Sequence, residues 1–289
     1  MKKQHILRQV ISSFIAFVMS LLLFILTMGA CLSVTVFHRD FVLDTLEKAG
    51  FYDKTVNTVL DNMKALPGGV PAELFDDLID ANLVRKDIIN SVTAAFSGDS
   101  AYRLDLQPLK DSLMARFTDY AANNGLAISE ESKANLQTLV DTCADVYRDQ
   151  VTIPFIDTFG QIRLMFSKGY TVGMVIIVLL CALLALFLMS IRRYKHRGVR
   201  FLFYSFSGAA LMTAALPAFV LINRAYERIH LSPQYVYDSF VSLVSSSMYA
   251  MLIGAAILLL LALALLPVVR LLKKAEIRKE KAAKAKEEH

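Results

Sequence analysis

Four long runs contain no Asp, Glu, Lys, Arg or His, and nothing else in this chain restricts its fold so strongly. Residues 10–37, 169–191, 201–223 and 239–269 hold 28, 23, 23 and 31 such residues in turn. A helix of about 20 apolar residues crosses the ~30 Å hydrocarbon layer, so each run can span it. The expectation is an all-α membrane protein with four transmembrane helices and a large helical extracytoplasmic domain between the first two. The spans are placed at 10–37, 169–191, 201–223 and 248–269.

Charge between the spans sets the orientation. The N-terminus, 1–9, carries Lys2, Lys3 and Arg8. The segment 192–200 carries Arg192, Arg193, Lys195, Arg197 and Arg200, and the tail, 270–289, carries eight basic residues against four Glu. Residues 38–170 instead hold 13 basic and 20 acidic side chains, a net charge of −7. Short basic segments stay on the cytoplasmic side, which places both termini inside a cell membrane and the domain 38–168 outside. The segment 224–247 is then an extracytoplasmic loop and stalk. The basic tail suits anionic lipid headgroups at the cytoplasmic face. No aromatic residue is interleaved with its charges, as single-stranded nucleic-acid binding would require, so nucleic acid is not an expected partner.

The first span exceeds the ~7–15-residue core of a cleaved signal and lacks an A-x-A site. Met28-Gly29-Ala30-Cys31 loosely resembles a lipoprotein cleavage site, but the following residues 32–37 are predominantly apolar. A small-residue packing site in an uncleaved helix is the expectation. Cys31, Cys143 and Cys181 are too scattered for a disulfide framework or zinc spacing.

Helical periodicity fills the domain between the first two spans. Helices are expected over 38–49, continuing from span one to a cap at Gly50, and over 53–66, 72–82, 85–96, 108–122 and 129–150. Ser129 is the expected N-cap of the last of these. Residues 102–106 alternate and suggest a short extended stretch, and 67–71 are rich in Pro and Gly, as a connector would be. A further helix is expected to start near 152–154 and run unbroken into span two. Ser232-Pro233 reads as the cap of a helix of some 40 residues reaching Leu272, so spans one, two and four should project beyond the bilayer.

Packing signals dominate inside the spans. Ser12, Ala16 and Ser20, Ala210, Ala214 and Ala218, Ala250 and Gly254, and Gly169 and Gly173 recur every fourth position, and such stripes let helices approach closely in lipid. Pro217 and Pro267 are candidate kinks. The absence of ionisable groups from the apolar runs argues against proton coupling and intramembrane catalysis.

Chemistry-bearing patterns are sparse. Asp141, Asp145 and Asp149 share one helix face, and Asp76, Asp77 and Asp80 form a second acidic set. Each could hold Ca²⁺ or a basic partner, yet a solvated face is the simpler expectation. The five histidines lie in no zinc or triad spacing, and no phosphate-loop or nucleophile-elbow motif occurs. No catalytic, cofactor or metal residue is therefore assigned.

The order of spans, with one large domain between the first two and both termini inside, resembles permeases of the FtsX and MacB kind. That resemblance covers topology and no motif. It implies a mixed α/β external domain and a separate cytoplasmic ATPase. Against it stand the periodicities of 38–168, which are predominantly helical, and the basic tail. A non-enzymatic envelope protein whose external domain binds a ligand or partner, and which acts through an associated protein, is the leading expectation.

Overall fold

The computed structural model describes residues 2–66, 71–99, 102–125, 129–153, 156–191, 195–224, 226, 229 and 233–287. Among them are nine α-helices and no strand: α1 (Lys2–Val34), α2 (Arg39–Lys48), α3 (Phe51–Lys64), α4 (Ala81–Ser97), α5 (Gln107–Asn123), α6 (Glu130–Val151), α7 (Ile156–Ile191), α8 (Lys195–Asn223) and α9 (Gln234–Glu287). Four of these, α1, α7, α8 and α9, are long and apolar enough to cross a membrane. The chain divides into two compact units. One comprises Met1–His38, Ser167–Ile229 and Val244–His289; the other, here the lobe, comprises Arg39–Phe166 and His230–Leu243.

The lobe folds around large side chains delivered at helical spacing. Val84, Ile88 and Val92 of α4, Leu113 and Phe117 of α5, and Val140, Cys143 and Tyr147 of α6 form one buried cluster with Phe51, Val59 and Met63 of α3. Gly50 at φ 66° and Gly98 at φ 81° adopt the left-handed conformation between α2 and α3 and after α4. Ser129 accepts a hydrogen bond from the Ser132 N–H and so caps α6.

Two expectations are corrected here. The helix expected over 72–82 is a single 3-10 turn, Ala72–Phe75. Beyond it Asp76 is extended, Asp77 has φ 55°, and Asp80 caps α4 by accepting from the Leu83 N–H at 2.7 Å. The short turn lets Phe75 enter the core edge-on to Phe117, at 6.0 Å between ring centroids. The Arg116 guanidinium donates to the carbonyls of Leu74, Asp76 and Asp77, which satisfies acceptors that a longer helix would have used. Second, span one does not continue into 38–49. α1 closes with Phe37 N–H donating to the Leu32 carbonyl, and α2 begins afresh at Arg39. The closing residues Val34-Thr35-Val36 are β-branched, which weakens a helix end. Residues 102–106 lie in neither a helix nor a ladder, and their exposure alternates along the stretch. Residues 67–70 and the Ser232 cap lie outside the described residues.

Helices α7 and α9 outrun the hydrocarbon layer, as the sequence implies. α7 is one helix of 36 residues and α9 one of 54. At 1.5 Å per residue α9 is about 80 Å long. It passes the expected end at Leu272 because the tail is built from Ala, Lys and Glu, all strong helix formers.

In the other unit the main partnership joins α1 to α8. Ser12, Ala16 and Ser20 are buried there, and the Ser205 hydroxyl donates to the Ala16 carbonyl at 2.9 Å. A Cβ on Gly208 would lie 2.8 Å from Ser20 Oγ. Thus α8 makes its close approach through Ser205 and Gly208, one face over from the expected Ala210, Ala214 and Ala218, of which only Ala210 is buried. Ala250 and Gly254 do meet α1: the Cys31 thiol donates to the Ala250 carbonyl at 3.8 Å, and a Cβ on Gly254 would lie 2.9 Å from Cys31 Sγ. Cys31 thus stands at a small-residue packing site within α1. Gly169 and Gly173 border open space and mark no contact.

Candidate functional site

Five of the six acidic residues singled out from sequence, all but Asp77, are engaged in ion pairs or a cap. Asp141 accepts from Lys110 Nζ at 2.7 Å, and that bond holds its carboxyl below the usual carboxylate range. Arg148 lies 3.0 Å from Asp145 and 3.5 Å from Asp149. In the second set Lys64 pairs with Asp76 at 2.7 Å, while Asp80 is the helix cap already described. No group of three or more His, Cys, Asp or Glu able to hold a metal ion occurs among the described residues.

Buried chemistry in the lobe is of a structural kind. Tyr147, 1 % exposed, donates its hydroxyl to Asp87 at 2.6 Å; burial, then that carboxylate, pushes the phenol up. Burial raises the Cys143 thiol to about 11, too high for appreciable thiolate at neutral pH. All three cysteines are free and buried.

A more promising arrangement lies at the basic end of the other unit. α8 begins at Lys195, so Arg197 and Arg200 stand on its first turns rather than in the loop expected over 192–200. From there Arg200, Tyr204, Gly208 and Met212 recur every fourth residue and face a groove of about 830 Å³. α1 supplies the opposite wall with Gln9, Ser13, Phe17 and Ser20, and α9 adds Lys273. Arg200 is laid over the Tyr204 ring, 5.6 Å from its centroid, and its Nε donates to the Tyr204 hydroxyl at 2.7 Å. Beside it His196 Nδ1 contacts the Glu276 carboxylate of α9. The groove therefore has a cationic mouth and a wall that turns apolar along α8.

Sequence reasoning placed these basic residues in a diffuse collar. The signal for something more local was their four-residue repeat with Tyr204, Gly208 and Met212, visible once 197–200 are assigned to the helix.

Fold and site together define an all-helical protein with four candidate membrane-spanning helices and a separately cored helical lobe. In comparisons with protein families, curated proteins and solved structures, nothing matches the chain.

Proposed function

We propose that this is a non-enzymatic integral protein of the cell envelope, with both termini cytoplasmic and the lobe outside. In this reading the lobe binds a ligand or partner, and the basic inner segments dock an associated protein that carries the response. The observation that carries it is the division of charge: a net charge of −7 over residues 38–170 against basic segments at 1–9, 192–200 and 270–289.

Impermeant maleimide labelling tests the orientation, with the buried native cysteines as a quiet background. Lys133→Cys in the lobe should label in intact cells, and Ala282→Cys in the tail only after lysis. The reverse pattern overturns the proposal.

A second reading makes the protein a transmission subunit driven by a separate cytoplasmic ATPase. The continuity of α9 favours it, because one helix contributes Tyr235 to the lobe core and then runs to the basic tail. Affinity purification from membranes with mass spectrometry separates the two: a co-purifying ATPase supports transmission, and a sensor or wall-synthesis partner supports the first reading.

A further inference from the structure

We propose that the groove between α1, α8 and Lys273 binds one anionic phospholipid, with its phosphate at Arg200 and Lys273 and an acyl chain along Phe17, Phe201 and Met212. Three observations converge on this occupant. The first is polarity: Arg197, Arg200 and Lys273 gather at one end, while the lining beyond Tyr204 is Gly208, Met212 and Phe17. A free phosphate or nucleotide would use the mouth and leave that wall empty.

Length is the second. Arg200 and Met212 are twelve residues apart on one helix, a rise of about 18 Å. One leaflet of a ~30 Å hydrocarbon layer is about 15 Å deep, so a headgroup at Arg200 places its chain alongside Met212. The groove's volume of about 830 Å³ lies within the range usual for ligand sites.

The third is preorganisation. The Arg200 guanidinium is held on the Tyr204 ring through Nε, and its two terminal nitrogens bond to no described residue. A fixed planar fork of this kind suits a phosphate oxygen pair. Lys273 forms no ion pair with a described carboxylate. Binding rests on the groove alone; only the assignment of the lipid to the cytoplasmic leaflet rests on the orientation proposed above.

Native mass spectrometry of the full chain in detergent, with equal dioleoyl phosphatidylglycerol and dioleoyl phosphatidylcholine, tests the site independently of orientation. One dominant phosphatidylglycerol adduct is expected, weakened about tenfold or more in Arg200→Gln/Lys273→Gln, as loss of charge-assisted hydrogen bonds implies. Arg200→Lys should retain part of the adduct. Ser13→Trp, which fills the groove without changing charge, should abolish it, and this keeps the test decisive if the double variant fails to fold. Equal adducts for the two lipids, or a ladder of adducts that neither variant changes, would mean annular lipid only and overturn the proposal. So would a thermal shift with inorganic phosphate that matches the one with phosphatidylglycerol.

Discussion

The two units of this protein solve opposite packing problems with the same secondary structure. The lobe hides its largest apolar side chains: Ile88, Leu113, Val92 and Tyr147 are essentially inaccessible. The other unit buries a smaller apolar set, Ile15, Met19, Leu23, Leu188 and Leu258, together with small and hydroxyl-bearing residues such as Ser12, Ser20, Ser205, Thr213 and Ala209, and turns much of its bulk outward, with Ile222 80 % and Leu260 65 % exposed. In water the gain from burial scales with apolar area, so large residues belong inside. In lipid the surroundings are as apolar as leucine, and association depends on close backbone approach and local satisfaction of hydroxyls. Thr213 shows the latter by donating to the Ala209 carbonyl at 2.8 Å. The large apolar side chains left exposed, such as Ile222 and Leu260, thus separate the two solvents within one helical chain.

The largest expected effect probes where the lobe ends. Tyr235 belongs to α9, yet it packs edge-on to Phe51 at 5.1 Å and donates its hydroxyl to Gln150. Residues 38–168 expressed alone should give a helical far-UV circular dichroism spectrum but be less stable than a version that includes 230–243. The difference should be about 3–5 kcal/mol, the usual cost of losing a buried aromatic residue. Equal unfolding midpoints would return α9 to the other unit.

Leu113→Ala and Leu260→Ala compare the two solvents directly. The first should cost about 2–5 kcal/mol as a cavity in a water-driven core. The second, on an outward-facing position, should leave the unfolding of the detergent-solubilised protein nearly unchanged. Similar losses at both sites would end the contrast drawn above.

Two glycines of α7 sharpen it further. A Cβ on Gly160 would lie 2.4 Å from the Ala95 carbonyl oxygen, a backbone atom that cannot swing aside, whereas Gly169 faces open space. Gly160→Ala should destabilise by about 1–3 kcal/mol or more. Gly169→Ala should stabilise by up to about 1 kcal/mol through helix propensity, again read from unfolding midpoints.

The smallest effect lies at the lobe surface. Lys110 holds Asp141 below its ordinary pKa, so the pair stabilises the fold above the unfolded carboxylate value of about 4 and loses that contribution as pH falls through the lower folded value. Asp141→Asn should therefore be slightly less stable than the parent at neutral pH and indistinguishable from it in strong acid. Millimolar Ca²⁺ should shift neither melting temperature; a shift confined to the parent would reveal a cation site on that helix.

Much of the fold is legible from local pattern. Runs of uncharged residues mark the four long helices, and periodicity with Gly50 and Ser129 marks the end of α2 and the start of α6. Elements that depend on a distant partner are not legible in this way. The 3-10 turn at Ala72–Phe75 is held where Phe75 packs on Phe117 and Arg116 donates to the open carbonyls, and nothing within 72–82 announces either. Gly169 and Gly173 fit the small-residue motif better than Gly208 does, yet only Gly208 lies against another helix.

Hydrophobic length, charge asymmetry and helical period are properties of contiguous residues, and the sequence by itself determined those: four helices able to span a membrane and the helical character of most of the segment between the first two. Tertiary structure decided which faces meet, that the first residues of α9 complete the lobe core, and that Arg200, Tyr204, Phe17 and Lys273 share one groove. Those outcomes depend on pairs separated by tens to hundreds of residues, whose association rests on shape and area that no local window contains.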